Sequence, residues 1–456
     1  MDPYNSRPMS YDSLKILLQY AKPNLRFELS RRIPSIRLTE KAVPLKIDKL
    51  LIGSHGVEVD DIKYEARIKR YYSSDDTDLK QYDFNYTSEN GDWDLDKWGF
   101  DDYSSETVFT PGDLVFQRER QMPRQAGRSE EHRKAIENEL KFVEWMVAKK
   151  SGENVEPNWT GEDVPPYLIN SSESASLLAL KCNAERLKIA LAPFNCFEKN
   201  VPLPFTKMVL VAIRSENGSL CWNYSGNLKY YEVRKQLMTW LLGNRKHVIK
   251  VDHLIVANGI IARLPENLRI SVKMLQAPSF ESYRIQVDTN TMLNKLEAII
   301  QNNNRPLEVY DTYRMHEELD HPLATNAKKL VFSLSTREFP NANRLIRIPN
   351  QKLHVSCSDK KPGHFVPVDI VRLVSDWIEN PREIGKCFSF EGIEKRVMKT
   401  MSRFQAVVDG AAFGVNTKRS VKIPLNNGSQ ISISYGRQVY RSWTRLRLMT
   451  IEVVAA

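Results

Sequence analysis

Residues 307–356 read LEVYDTYRMHEELDHPLATNAKKLVFSLSTREFPNANRLIRIPNQKLHVS, and the spacing inside this stretch decides the fold. A leucine followed two positions later by an apolar residue occurs at Leu307/Val309, Leu330/Phe332 and Leu353/Val355, so the leucines step twice by 23 residues. A step of that length lies within the roughly 20–29 residues of a leucine-rich repeat, in which each unit gives one strand to a shared sheet. None of the units carries the complete leucine-rich signature. The spacing predicts an irregular leucine-rich-repeat-like strand/helix body, with an ordinary three-layer α/β domain as the other reading.

Working outward, a further pair of the same kind stands at Leu254/Val256, and helical patterns follow in NTMLNKLEAIIQNN (290–303) and VDIVRLVSDWIEN (368–380). Upstream, KMVLVAIRSENGSLCWNYSG (207–226) reads as two strands around Asn217-Gly218, followed by a helix over 230–246 that ends near Gly243 and a strand over 248–259. Downstream, SVKIPLNNGSQISISYG predicts a β-hairpin around Asn426-Asn427-Gly428, and RLRLMTIEVV a last strand that caps the sheet. Residues 129–151 place Ile136, Leu140, Val143 and Val147 on one helical face, with acids early and lysines late as the helix dipole favours. The breaker-rich stretch 152–170 then marks an internal boundary. Four segments result: a helical segment over 1–44, a strand hairpin with acidic loop and amphipathic helix over 45–170, the α/β body over 171–404, and a C-terminal β-hairpin cap over 405–456.

The helical segment opens with Leu14, Leu17, Leu18 and Ala21 at helical spacing, after the caps Asp12 and Ser13. Pro23 suits the first turn of a second helix carrying Leu25, Leu29 and Ile33, and Pro34 ends it. A short helical piece, SIRLTEKAV, leads through Pro44 into LKIDKLLIG and GVEVDDIKYEARI, which alternate as two strands of a hairpin. Two helices of this length expose more apolar surface than they can cover themselves. Burying Leu14, Leu17, Leu18, Leu25 and Leu29 contributes roughly 1.5–3 kcal/mol each. The covering surface is either this chain's own strands or another polypeptide.

The net charge of +10 is uneven. Residues 73–107 hold eleven acids and two lysines, a local −9 that leaves +19 elsewhere, together with seven aromatics and no apolar period. Such a segment reads as an acidic loop or an acidic-aromatic docking segment. The basic remainder makes a binding module for nucleic acid or another acidic ligand the alternative function. It is spread along the chain without a Lys/Arg block or aromatic platform, so nucleic acid is not the expected partner. The five cysteines, Cys182, Cys196, Cys221, Cys357 and Cys387, are odd in number and never spaced as Cys-x-x-Cys, which points to free thiols. No apolar run approaches the ~20 residues of a membrane-spanning helix, and MDPYNSRPMSYDSLK lacks the pattern of a secretory signal. A cytoplasmic protein, with the nucleus as the other compartment, is expected.

Chemistry-bearing motifs are scarce. The common phosphate-binding glycine loops and the hydrolase Gly-x-Ser-x-Gly are absent. HEELDH, His316 to His321, approaches the zinc-protease motif, but its histidines are five apart and so lie about 140° apart around a helix, where four apart would leave about 40°. No catalytic residue, cofactor or metal site is expected.

The opening LSRRIPSIRLTEKAVPLKIDKLLIG resembles that of the nematode F-box C proteins, whose F-box-associated domain is of unknown function. KHVIKVDHLIV, HPLATNAKKLVFSLS and VDIVRLVSDWIENPREIGKCFSF resemble later blocks of the same family in the same order. The resemblance implies a receptor without catalytic residues. Its N-terminal helices, through Leu14, Leu17, Leu18, Leu25 and Leu29, would bind the Skp1-like adaptor of a cullin-type ubiquitin ligase, and its later strand/helix region would hold a target protein. A typical F-box opens with Leu-Pro and later carries an apolar-Cys-x-x-Trp stretch; here the corresponding places read SYDSL and SRRIPSI.

Overall fold

The computed structural model describes residues 9–53, 55–72, 94–102, 104, 108–116, 129–157, 159, 164, 166–203, 205–224, 228–256, 261–277, 289–302, 305–313, 320–334, 341–357, 367–409, 416–417, 419–441 and 444–456. The chain forms two compact units, one of Met1–Ile62, Gly112–Gln117 and Met238–Ala456, the other of Lys63–Pro111 and Arg118–Leu237.

The first unit is a mixed α/β body with N-terminal helices. Its central strands, Lys46–Ile52, Ile249–Val256, Ile270–Gln276, Val309–Thr312, Lys329–Leu334, Lys352–Cys357 and Cys387–Ile393, are neighbours in that order and all parallel. Gly56–Val59 pairs antiparallel on one side; on the other, Thr444–Ala455, Ser429–Arg441 and Ser420–Pro424 add antiparallel strands. In the turn of the expected C-terminal hairpin, Asn427 Oδ1 accepts from Ser429 N at 3.1 Å and Ser429 Oγ at 2.7 Å, and Gly428 takes the positive φ of 79°.

Register explains the leucine spacing. Leu50, Leu254, Leu275, Tyr310, Leu330, Leu353 and Phe388 stand side by side across the parallel strands, followed by Ile451, Ile433 and Val421 in the antiparallel ones. All are buried. Two residues on, Thr312, Phe332, Val355, Phe390 and Met449 make a second buried row. The strands share one pattern, a buried residue, two outward ones, then buried, outward, buried: Ile47/Leu50/Ile52, Val251/Leu254/Val256, Val272/Leu275/Ala277, Leu307/Tyr310/Thr312, Ala327/Leu330/Phe332 and Asn350/Leu353/Val355. This is the strand pattern of a leucine-rich repeat with irregular connections. The step from Leu330 to Leu353 is a true neighbour relation, whereas Leu307 lies two residues ahead of the strand Val309–Thr312 and the residue beside Leu330 is Tyr310.

The buried rows are covered by the connecting helices. Met292, Leu293 and Leu296 come from Thr289–Glu297, Ala342 and Leu345 from Ala342–Arg347, Ile370, Leu373, Val374 and Trp377 from Pro367–Glu379, and Val397, Met401 and Phe404 from Glu394–Asp409. Trp377 meets Phe388 edge-on at 5.1 Å between ring centroids. Buried Asn350 donates from Nδ2 to the carbonyls of Ala324 at 2.8 Å and Ala327 at 2.7 Å, closing the short helix Pro322–Thr325.

In the second unit, strand Ile62–Tyr72 from Lys63 onward pairs antiparallel with Phe205–Ser215, which turns at Gly218 into Gly218–Tyr224. Helices Glu130–Lys150 and Leu177–Lys199 pack together through Ile136, Phe142, Val143, Leu187 and Phe194. Ser129 caps the first, its Oγ accepting from His132 N at 3.1 Å. Of the acidic segment 73–107, residues 73–93, 103 and 105–107 lie outside the described residues.

Candidate functional site

The N-terminal segment folds as α1 (Tyr11–Tyr20), α2 (Pro23–Arg32) and α3 (Arg37–Ala42), with α1 and α2 both packed on α3. Ser10 caps α1 and Pro23 opens α2. One side of the segment is tied to the body. Leu18 is 0% exposed, Phe27 packs near Trp240 at 6.4 Å, and Asn24 donates to the Val59 carbonyl at 2.9 Å.

Under these helices lies a buried cluster of charge. Glu40 accepts from Arg26 Nε at 3.1 Å and from Arg245 Nη2 at 3.0 and 3.1 Å. Arg26 also donates to the carbonyls of Glu40, Val43 and Pro44, so one guanidinium fixes the end of α3 and the entry to the first strand. Arg245 and Lys41 both reach carbonyls at the end of helix Tyr230–Leu242, Arg245 Nη2 donating to Leu241 at 2.9 Å and Lys41 Nζ donating to Trp240 and Leu241. Burial lowers the pKa of both arginines, and burial, aided by Arg245, pushes Lys41 down to about 7. The cluster locks the N-terminal segment onto a part of the chain far along the sequence, Glu40 and Arg245 being 205 residues apart.

The other side is apolar and open. Leu17 is 41% exposed, Leu25 52%, Tyr20 83% and Leu38 85%, and Tyr11, Ile16 and Ile33 are exposed with them. Helical geometry sorts α1: at about 100° per residue, Ile16, Leu17 and Tyr20 share an arc facing away from Leu18. Of the five leucines predicted for partner contact, Leu17 and Leu25 are open, Leu14 and Leu29 are half-buried, and Leu18 is taken up by this chain's own core. The open set gains Ile16, Tyr20, Ile33 and Leu38, which leucine spacing alone does not single out. Arg31 and Arg32 both hold Glu28, with Arg31 Nη2 at 2.8 Å, which gives α2 a polar flank.

A second polar surface is the face of the parallel sheet turned away from the connecting helices, where Lys352 is exposed, Lys329, His354 and Ser389 are half-buried and Asp311, Ser356 and Glu391 are buried. His354 Nδ1 lies 2.9 Å from Ser389 Oγ, and its Nε2 is 3.7 Å from Glu391. Next to them, Ser333 Oγ donates to Asp311 Oδ1 at 3.0 Å. A serine, a histidine and a carboxylate suggest a nucleophile, but Ser389 Oγ donates to the Leu353 carbonyl at 3.2 Å. With its proton given there, the hydroxyl accepts from the imidazole, the opposite sense to an activated serine. This is a cross-strand polar pair, His354 and Ser389 being register partners.

Of the HEELDH motif, His316 lies outside the described residues. His321 caps helix Pro322–Thr325, Nδ1 accepting from Leu323 N at 3.1 Å, and its Nε2 lies 3.0 Å from Asn294 Oδ1. Among the described residues no group of three His, Cys, Asp or Glu could hold a metal ion, and no helix is long and apolar enough to cross a membrane.

No curated protein and no solved structure is significantly similar to this chain. No F-box family model matches the chain, and the family model that does match leaves the N-terminal helices outside it, so the F-box expectation for residues 1–44 rests on sequence resemblance alone. Residues 229–394, which hold most of the parallel strands, match the family described as domain of unknown function (DUF3557) and form a domain of that kind.

Proposed function

We propose that the chain is a non-enzymatic protein-binding adaptor, an F-box-like substrate receptor. Its N-terminal helices dock on a Skp1-like adaptor of a cullin-type ubiquitin ligase, and its leucine-rich-like body holds a target protein. The observation that supports this reading is the open apolar side of residues 11–38, where Ile16, Leu17, Tyr20, Leu25, Ile33 and Leu38 stand exposed on a segment whose other side is fixed by buried contacts. Scattered exposed leucines are ordinary, but a concentration of large apolar side chains on one short segment marks an interaction surface. Aromatic and aliphatic groups of this kind carry most of the energy of a protein interface.

Purified full-length protein incubated with a Skp1-like adaptor tests the proposal. The wild type retains the adaptor, and Leu17→Asp lowers retention by about tenfold, or ~1.4 kcal/mol, while the melting temperature stays unchanged. Leu18→Asp, placing a charge in the core, lowers the melting temperature as well. Folded wild-type protein that retains no adaptor removes the ligase role.

A further inference from the structure

The sheet face turned away from the connecting helices carries a pair of lysines that make no ion pair among the described residues. Lys329 and Lys352 are register partners on adjacent parallel strands, which places their side chains about 5 Å apart at the backbone. Like charges directly opposite each other are destabilising, and surface lysines so placed usually have a carboxylate between them. Here neither lysine has an ion-pair partner among the described residues, nor has the adjacent Lys328. Other lysines of the same sheet are neutralised: Lys49 by Glu58 at 2.7 Å, Lys273 by Asp252 at 2.9 Å and Lys46 by Asp252 at 3.2 Å.

The nearest acids on this face are withdrawn. Asp311 is buried, which raises its pKa against the weaker pull of His354 and Lys329, and its Oδ1 is held by Ser333 without an ion pair to either lysine; Glu391 is buried beside His354. Glu308 and Glu452 flank the strip at either end, one residue before Val309 and opposite Cys387. Two residues along from Lys329 and Lys352 stand Val331 and His354, the latter paired with Ser389 on the next strand, and the hydroxyls of Ser333, Ser356 and Ser389 donate to Asp311, Phe332 and Leu353. Two ammonium groups side by side, with no ion-pair partner among the described residues, are a composition that receives carboxylates.

We infer that the sheet face around Lys329 and Lys352 binds an acidic segment of a partner protein, its carboxylates supplying the counter-charge that the two lysines lack among the described residues. The inference rests on the reading of the body as a receptor and names the class of target it takes. It is independent of the N-terminal docking side, so each can fail without the other.

The test uses full-length protein and a fluorescent oligoglutamate peptide, with an oligolysine peptide of equal length as control. The acidic peptide binds at low salt, and binding weakens as salt is added because exposed ion pairs are screened. The double variant Lys329→Glu/Lys352→Glu weakens it by about tenfold or more, whereas Lys422→Glu, on an exposed position of strand Ser420–Pro424, changes it little. Circular dichroism shows whether both variants are folded. Equal binding by the double variant and the wild type overturns the inference, as does absence of binding by folded wild type. Retention of the Skp1-like adaptor by the double variant shows that a failure here leaves the docking proposal standing.

Discussion

Glu40→Ala lowers the stability of the first unit by about 3–5 kcal/mol and its melting temperature by about 10 °C. The carboxylate is 1% exposed and is shared by two guanidinium groups, themselves 2% and 3% exposed. Removing it leaves Arg26 and Arg245 with mutual repulsion in a dry interior, and an arginine cannot shed its proton to escape. Both lose their carboxylate and keep only backbone carbonyls, Arg26 those of Glu40, Val43 and Pro44, Arg245 that of Leu241. Glu40→Gln keeps the shape and some hydrogen bonds but not the charge, and falls between the two. Thermal melting of the three proteins checks the order, and an alanine variant as stable as wild type would show that the cluster does not hold the segment in place.

Phe332→Ala costs about 3–5 kcal/mol, the usual range for truncating a buried aromatic ring, while Val331→Thr, one residue away, changes stability by less than about 0.5 kcal/mol. Phe332 is buried in the second inward row beside Thr312 and Val355, under the connecting helices. Val331 is half-buried on the opposite face, level with Asp311 and His354. Because strand side chains alternate, a shift of one residue in register would exchange the two effects. Denaturant unfolding of both variants therefore tests the register of the parallel sheet, and comparable losses for the two would contradict it.

Much of this register is legible in the spacing of apolar residues along the chain. Leu330 and Leu353 are 23 residues apart and are neighbours. The equal step from Leu307 is a coincidence of numbers: Leu307 precedes the strand Val309–Thr312 and stands three residues before Tyr310, which is the residue beside Leu330. A tyrosine fills the place where the repeat calls for leucine, and the connections differ in length, Leu254 to Leu275 spanning 21 residues, Leu275 to Tyr310 35 and Leu353 to Phe388 35. Burial asks only for an apolar side chain of suitable size, so a pattern of fixed identity and fixed period misses half the ladder.

The docking side is legible only in part. Apolar periodicity places Leu14, Leu17 and Leu18 on one helix but does not say which arc is turned inward, because ILL at 16–18 covers most of the circumference. What decides it is the contact of α1 with α3 and the pairing of Glu40 with Arg245, residues far apart in sequence. Long-range ion pairs leave no local pattern. The same holds for Lys329 and Lys352: each lies in an ordinary strand, and their juxtaposition follows from parallel pairing across a connection of irregular length.

Hydrogen–deuterium exchange of the full-length protein, with and without a purified Skp1-like adaptor, measures the central proposal most directly. The account predicts slower exchange over residues 11–38 on addition of the adaptor, with strands Lys329–Leu334 and Lys352–Cys357 unaffected. Unchanged exchange over 11–38 in a folded protein at saturating adaptor would contradict it.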